Sequence, residues 1–168
     1  MIQIFQSTIF RFISIILLQI LLFNNIILFN NTIPYIYILF ILILPFEINK
    51  VLLLCIGFIT GLLIDYSFVS YGVHTGATVL IAFLRPAILQ YIEPRGGYLP
   101  NTQPLLKYYG LKWFFKYALS IVMTHHFMLF FFYTFSFEAF DVFLFRMIIN
   151  SAITLFLIIL SQYFIFRT

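Results

Sequence analysis

Charged side chains are scarce in this sequence. Asp, Glu, Lys and Arg make up 8% of its 168 residues, whereas a soluble domain has about a quarter. Hydrophobic residues make up 64%, and the mean hydropathy is +1.11. A chain this apolar is a membrane protein, and its length leaves room for roughly five to seven spans of about 20 residues each. No soluble domain of useful size fits beside them.

Cysteine is equally scarce, because Cys55 is the only one and excludes an intramolecular disulfide. The net charge of +4 does not indicate a nucleic-acid partner, since long apolar stretches separate the basic residues and no dense basic face forms. The amino-terminal apolar stretch contains Arg11 and no small-x-small cleavage site before Asn24. We therefore interpret it as a retained first helix.

Continuous apolar runs, separated by polar or turn-forming residues, predict an all-α fold. We expect a polytopic protein with about six transmembrane helices in a single membrane domain, residues 1–168. The predicted helices cover residues about 5–23, 33–45, 50–68, 72–92, 109–135 and 139–166. The second is short enough to be re-entrant instead, which would leave five spans.

The basic residues favour one side of this predicted arrangement. The predicted inner side holds Arg11, Lys50, Arg95, Lys107, Lys112 and Arg167, with Arg85 and Lys116 close to it. The predicted outer connections, residues 24–32, 67–71 and 136–138, contain no basic residue. Because Lys and Arg near span ends prefer the cytoplasm, we expect both termini to be cytoplasmic.

Small residues and one carboxylate recur at four-residue steps in the third predicted helix. Gly57, Gly61 and Asp65 lie along one face, and the fourth helix opens with further small or polar residues, Gly72, His74 and Gly76. Small residues let two helix backbones approach closely in lipid. The pattern predicts helix packing within the chain, with a partner interface or a dimer seam as alternatives.

Asp65 is an ionisable group within a predicted span, which is costly unless it is paired or hydrated. Arg146 enters the sixth predicted helix from the same side and at a comparable depth. We therefore predict an intramembrane Asp65–Arg146 ion pair, and the alternative is a carboxylate that meets water near the interface. Asn150 and Thr154 continue the four-residue steps from Arg146, a polar stripe that faces either the bundle or a partner.

Catalytic and metal-binding patterns are missing from the sequence. It shows no Ser–His–Asp or Cys–His arrangement, no phosphate-binding glycine loop and no paired carboxylates. His125 and His126 point about 100° apart on a helix, so at most one is expected to face inward. His74 is expected to be a hydrogen-bonded interior residue. We predict no enzyme, no cofactor and no metal. A transporter would show broken helices or several polar groups near the bilayer midplane, whereas the polar groups here cluster toward the predicted outer half.

The stretch from Gly57 to Leu84 resembles the signature region of the rod shape-determining protein MreD family. The resemblance lies in Gly-x-x-x-Gly-x-x-x-Asp, a short aromatic and serine turn, and "YGVH" leading into "TGATVLIAFL". The residues that match the family pattern one by one are Gly57, Gly61, Asp65, Gly72 and His74. Gly76 and Arg146 are chosen on physical grounds alone.

The resemblance implies a non-enzymatic scaffold of the bacterial cell-elongation machinery, or elongasome, in the plasma (inner) membrane. It implies binding to MreC, work beside MreB and the peptidoglycan synthases, and coupling of cell-wall synthesis to rod shape. The family is similar in fold to the substrate-binding subunits of energy-coupling-factor transporters. The alternative function is therefore a small-molecule (vitamin-type) binding subunit of a transporter, although the short predicted outer connections favour the scaffold.

Overall fold

The fold is known from a computed structural model, which describes residues 2–26, 32–100, 102–134 and 140–164, with side chains for all of these except 2–7 and 134. The helices are α1 Ile2–Leu21, α2 Ile38–Ile43, α3 Lys50–Phe68, α4 Val73–Tyr91, α5 Leu106–Thr134 and α6 Phe140–Phe164, with a 3-10 turn at Phe23–Asn25. Five of these helices, all except α2, are long and apolar enough to cross a membrane. The chain is a multi-pass helical membrane protein.

The observed helix bounds follow the predicted ones within a few residues for five helices. The third agrees at both ends, and the first is shifted toward the amino terminus. The fifth begins at Leu106, but Gly110 has a non-helical backbone (φ 76°, ψ 166°), so the regular helix lies after it. Residues 135, 139 and 165–166 of the predicted helices, together with Arg167 and the predicted outer connection 136–138, lie outside the described residues.

The second predicted helix, residues 33–45, is much shorter than expected. Residues 32–45, which we call the central segment, contain only the six-residue helix α2, and the residues before it are not helical. Pro34 has no N–H to contribute to a helix there. Every residue from Pro34 to Leu44 is buried. The central segment is thus a largely unwound element in the interior of the bundle.

The long helices pack in a simple order around the central segment. α3 packs on α4, α4 on α5 and α5 on α6, while α1 contacts α2 and α3. Asn24, just after α1, donates a hydrogen bond to Ser67 Oγ near the end of α3 (2.9 Å). The carboxyl ends of α1 and α3 therefore lie at the same end of the bundle, and the central segment returns the chain toward the other end, where α3 begins.

Candidate functional site

The glycine face of α3 packs against α4 of the same chain. A Cβ added at Gly61 would lie 2.4 Å from the Cα of Thr75 and 2.8 Å from its amide nitrogen. A Cβ added at Gly57 would lie 2.9 Å from the Cβ of Ala82. The two backbones are therefore in direct contact, as small residues permit. Since α4 covers this face, neither a partner span nor a second copy of the chain can occupy it.

Asp65 caps the amino terminus of α4. Its Oδ1 accepts hydrogen bonds from Ser70 Oγ (2.5 Å) and from the His74 N–H (2.9 Å). Its Oδ2 accepts from the Thr75 N–H (2.8 Å) and from Thr75 Oγ1 (2.5 Å). The first N–H groups of a helix have no partner within the helix and carry a partial positive charge. The carboxylate supplies the missing acceptor across the turn between the two helices.

The predicted Asp65–Arg146 ion pair does not form. Asp65 is 5% exposed, and the groups that donate hydrogen bonds to its carboxylate belong to Ser70, His74 and Thr75. Arg146 is exposed on α6, which packs against α5 rather than α3. The physical reason is the glycine face, which turns Asp65 toward the start of α4. Asp65 is also not the water-exposed carboxylate of the alternative interpretation.

Gly72 and Gly76 have roles different from those of the α3 glycines. Gly72 immediately precedes α4 with φ at 93°, a conformation that residues with a Cβ rarely adopt, and so allows the tight turn. Gly76 faces α5, where an added Cβ would lie 3.2 Å from Cε2 of Phe132. The predicted interface residues therefore divide between the α3–α4 contact, the turn and the α4–α5 contact.

Side chains from distant helices hold the unwound backbone of the central segment. The N–H of Ile33 donates to Asn150 Oδ1 (3.2 Å), and the N–H of Tyr35 donates to Thr154 Oγ1 (3.1 Å). Gln19 on α1 accepts from the Tyr37 N–H (3.2 Å) and donates to the Pro34 carbonyl (3.0 Å). Asn150 and Thr154 of the polar stripe on α6 thus face the bundle, whereas Arg146 is exposed. Non-helical backbone at membrane depth requires protein partners of this kind.

A cluster of histidines and tyrosines, all buried except the half-exposed Tyr133, lies beside this unwound backbone. The hydroxyl of Tyr37 lies 2.8 Å from His74 Nδ1 and 2.6 Å from His125 Nε2. On the other side of the ring, His74 Nε2 lies 3.2 Å from the hydroxyl of Tyr133. Each hydroxyl has one proton, so the chain Tyr133–His74–Tyr37–His125 can be satisfied with its hydrogen bonds running in either direction. We call this chain the His/Tyr cluster.

His126 belongs to a neighbouring hydrogen-bond chain with a defined tautomer. Its Nδ1 lies 2.9 Å from the Val122 carbonyl, so Nδ1 carries the proton and donates. Its Nε2 then accepts from Thr154 Oγ1 (3.4 Å). The expectation that at most one of His125 and His126 faces inward is wrong, because both are fully buried. Within the described residues, His125 Nδ1 is the only histidine ring nitrogen without a hydrogen-bond partner.

Arg85 holds the opposite end of the central segment. It is 1% exposed, and its Nε donates to the hydroxyl of Tyr117 (2.8 Å). Its guanidinium also donates to the carbonyls of Leu44 and Pro45, which follow α2. Tyr117 in turn donates to the Leu42 carbonyl (3.1 Å). Arg85 therefore satisfies carbonyl groups that the short helix leaves without partners, although its position in the sequence suggested only a topological role.

This arrangement offers hydrogen bonds rather than ligands for a metal. In the part of the chain that the structure describes, no group of three or more His, Cys, Asp or Glu could hold a metal ion. No protein-family model, curated protein or solved structure matches the chain. The geometry and the residues themselves must therefore support any functional interpretation.

Sequence reasoning missed the residues around the central segment, above all Tyr37, Gln19 and Arg85. One signal was present, since Pro34 near the start of an unusually short apolar run disfavours a continuous helix. An unwound span needs side-chain partners for its backbone. The polar residues inside other spans, Gln19, Asn150 and Thr154, were the candidates for that role.

Proposed function

We propose that this chain is a non-enzymatic membrane scaffold of the bacterial cell-elongation machinery, similar to MreD. The observation that carries the proposal is that Gly57, Gly61, Asp65 and His74 all lie in the α3–α4 hairpin. The glycines bring the two helices into contact, and Asp65 then caps α4. The four-residue spacing of the motif therefore serves to hold α3 and α4 together. A rigid pair of helices suits a protein on which other proteins assemble.

The proposed topology has six crossings and cytoplasmic termini in the bacterial plasma membrane. The central segment would supply the sixth crossing, because it contacts His74 at the start of α4 and Arg85 eleven residues later, about 16 Å along that helix. Its burial makes an unwound crossing tolerable. The basic residues Lys50, Lys107 and Lys112 would then lie on one side, in agreement with the positive-inside rule.

The proposed direct partner is MreC, with MreB and the peptidoglycan synthases reached through the same assembly. Since α4 covers the glycine face, a span of MreC would contact a lipid-facing surface instead. The outer side of α3 offers one, because Phe58, Ile59 and Leu62 are 50%, 50% and 51% exposed. Apolar side chains at such positions can pack against a single partner helix.

Co-purification with MreC tests this proposal. The affinity-tagged full chain would be coexpressed with MreC from the same genome, and an unrelated single-span protein would serve as the control. We expect the tagged chain to capture MreC but not the unrelated single-span protein. Leu62→Trp should reduce the capture if the outer side of α3 is the contact, whereas Leu99→Trp, at an exposed position between α4 and α5, should not. Failure of the wild-type chain to capture MreC, at normal yield and monodispersity, would contradict the proposal.

The alternative function, a vitamin-type binding subunit of a transporter, gains one supporting observation. The unwound central segment beside the His/Tyr cluster is similar to the discontinuous helices that form substrate sites in transporters. Against it, the polar groups of the cluster bond mainly to each other. A thermal-shift series with vitamins in detergent separates the two functions. Saturable stabilisation by one vitamin would favour the alternative.

A further inference from the structure

An open groove lies between the end of α4 and the first turns of the regular part of α5. Its volume is about 810 Å³, and its described lining includes Tyr91, Glu93, Lys112, Trp113 and Lys116. Lys112 and Lys116 are exposed and four residues apart, so their side chains leave the same face of α5 from Cα atoms about 6 Å apart along its axis. The groove therefore presents two positive charges side by side.

The position of the groove along the helices places it at the edge of the membrane. α4 ends at Tyr91, whose side chain is 91% exposed, and the regular helix of α5 begins after Gly110. Trp113 lies between the two lysines and donates its indole N–H to the Ile92 carbonyl (2.9 Å). Tyr and Trp are enriched where a span meets the headgroup region. The two lysines lie within the first two turns after Gly110, where we expect headgroup depth.

The groove continues from these charges toward the apolar part of the span. Among the described residues that line the groove, Leu119 and Ser120 lie furthest along α5 from its start. The hydroxyl of Ser120 donates a hydrogen bond to the carbonyl of Lys116. The ligand that matches this layout has an anionic head beside Lys112 and Lys116 and an apolar body along α5. Basic pockets between transmembrane helices on the cytoplasmic side bind lipids of this kind. Glu93 is the only acidic residue in the described lining and opposes such a ligand.

We propose that this groove is a binding site for the headgroup of an anionic phospholipid, with Lys112 and Lys116 contacting the phosphate. The site is separate from the His/Tyr cluster and does not depend on MreC binding. Trp113 is the only tryptophan of the chain, so its fluorescence reports on the groove alone.

The test measures quenching of Trp113 fluorescence by brominated lipids added to the full-length protein in detergent. We expect brominated phosphatidylglycerol to quench at much lower concentration than brominated phosphatidylcholine. Replacing both lysines, Lys112→Gln with Lys116→Gln, should weaken phosphatidylglycerol binding roughly 25-fold, since each lysine near a charged lipid surface contributes about a factor of five. Lys50→Gln removes one exposed lysine outside the groove, at the start of α3, and should retain the preference for phosphatidylglycerol.

Two further arms make the result decisive. Glu93→Gln should strengthen phosphatidylglycerol binding, because it removes the opposing charge. Inorganic phosphate, compared with chloride at equal ionic strength, should neither alter Trp113 fluorescence nor displace the lipid. Equal quenching by both lipids in the wild type, an unchanged preference after loss of both lysines, or displacement of the lipid by inorganic phosphate would each overturn the proposal.

Discussion

The α3–α4 hairpin and the central segment are both buried, yet they are stabilised by opposite means. In the hairpin the backbone is helical, and the contact depends on missing side chains at Gly57 and Gly61. In the central segment the backbone is unwound before α2, and its stability depends on side chains as far as 117 and 119 residues away in sequence. Close helix packing can be encoded locally, whereas an unwound span needs donors and acceptors from the whole bundle.

The largest effect of a lost hydrogen-bond donor is expected where the central segment depends on a single residue. Arg85→Met should lower the free energy of unfolding by roughly 4 kcal/mol, because it leaves the carbonyls of Leu44 and Pro45 buried without donors. The measurement is unfolding by SDS in mixed micelles. Arg95→Met, at an exposed loop position, is the control and should stay within about 0.5 kcal/mol of the wild type. An equal loss in both variants would show that Arg85 does not hold the segment.

The α3–α4 hairpin should be destabilised by added side-chain volume rather than by a lost hydrogen bond. Gly61→Ala places a methyl group against the backbone of Thr75 and should cost about 2–3 kcal/mol in the same assay. Gly96→Ala is the matched control, because a Cβ there meets nothing within 4 Å. Gly61→Leu should prevent folding, whereas Leu62→Phe should be tolerated because Leu62 is 51% exposed. Equal stability of Gly61→Ala and Gly96→Ala would contradict the close contact.

The difference between the two regions also explains what the sequence could predict. The residues of the hairpin are close in sequence, so the four-residue spacing of Gly57, Gly61 and Asp65 was enough to predict helix packing. The partner of Asp65 was not predictable in the same way. Matching depth suggested Arg146, but depth does not determine which helices are neighbours, and the carboxylate bonds to the adjacent turn instead.

The central segment illustrates the opposite limit. Hydropathy predicted a helix over residues 33–45, because burial and apolar character do not distinguish helix from unwound backbone. The unwound backbone is possible because Asn150, Thr154 and Gln19 accept hydrogen bonds from its N–H groups. In a helix, carbonyls of the same helix would accept those hydrogen bonds. Such pairings between distant residues leave no spacing pattern in a single sequence. The inward position of both His125 and His126 has the same origin, since distant residues supply their partners: Tyr37 of the central segment for His125 and Thr154 of α6 for His126.

Asp65 allows the local character of the hairpin to be tested directly. Asp65→Asn should cost about 2 kcal/mol, because the Asn amide NH₂ would face the N–H and hydroxyl donors that Asp65 now accepts. Arg146→Gln should have no effect, and the two changes should be additive in a double-mutant cycle. Asp141→Asn, in the exposed first turn of α6, is the control. A coupling energy between Asp65 and Arg146 above about 0.5 kcal/mol would contradict this expectation and support the ion pair.

Thr154 tests the distant support of the central segment at a single side chain. Thr154→Val keeps the shape of the side chain but removes the acceptor of the Tyr35 N–H and the donor to His126 Nε2. We expect a loss of about 1–2 kcal/mol, since the buried Tyr35 N–H loses its acceptor and His126 Nε2 loses a long hydrogen bond of 3.4 Å. Thr124→Val is the matched control on α5, because its hydroxyl bonds only to a carbonyl one turn earlier in its own helix. Since Thr154 lies 119 residues from Tyr35 in sequence, hydrogen exchange should show weaker protection at Tyr35 in Thr154→Val and unchanged protection in the α3–α4 hairpin. Loss of protection in both regions would mean that the hairpin and the central segment unfold as one unit.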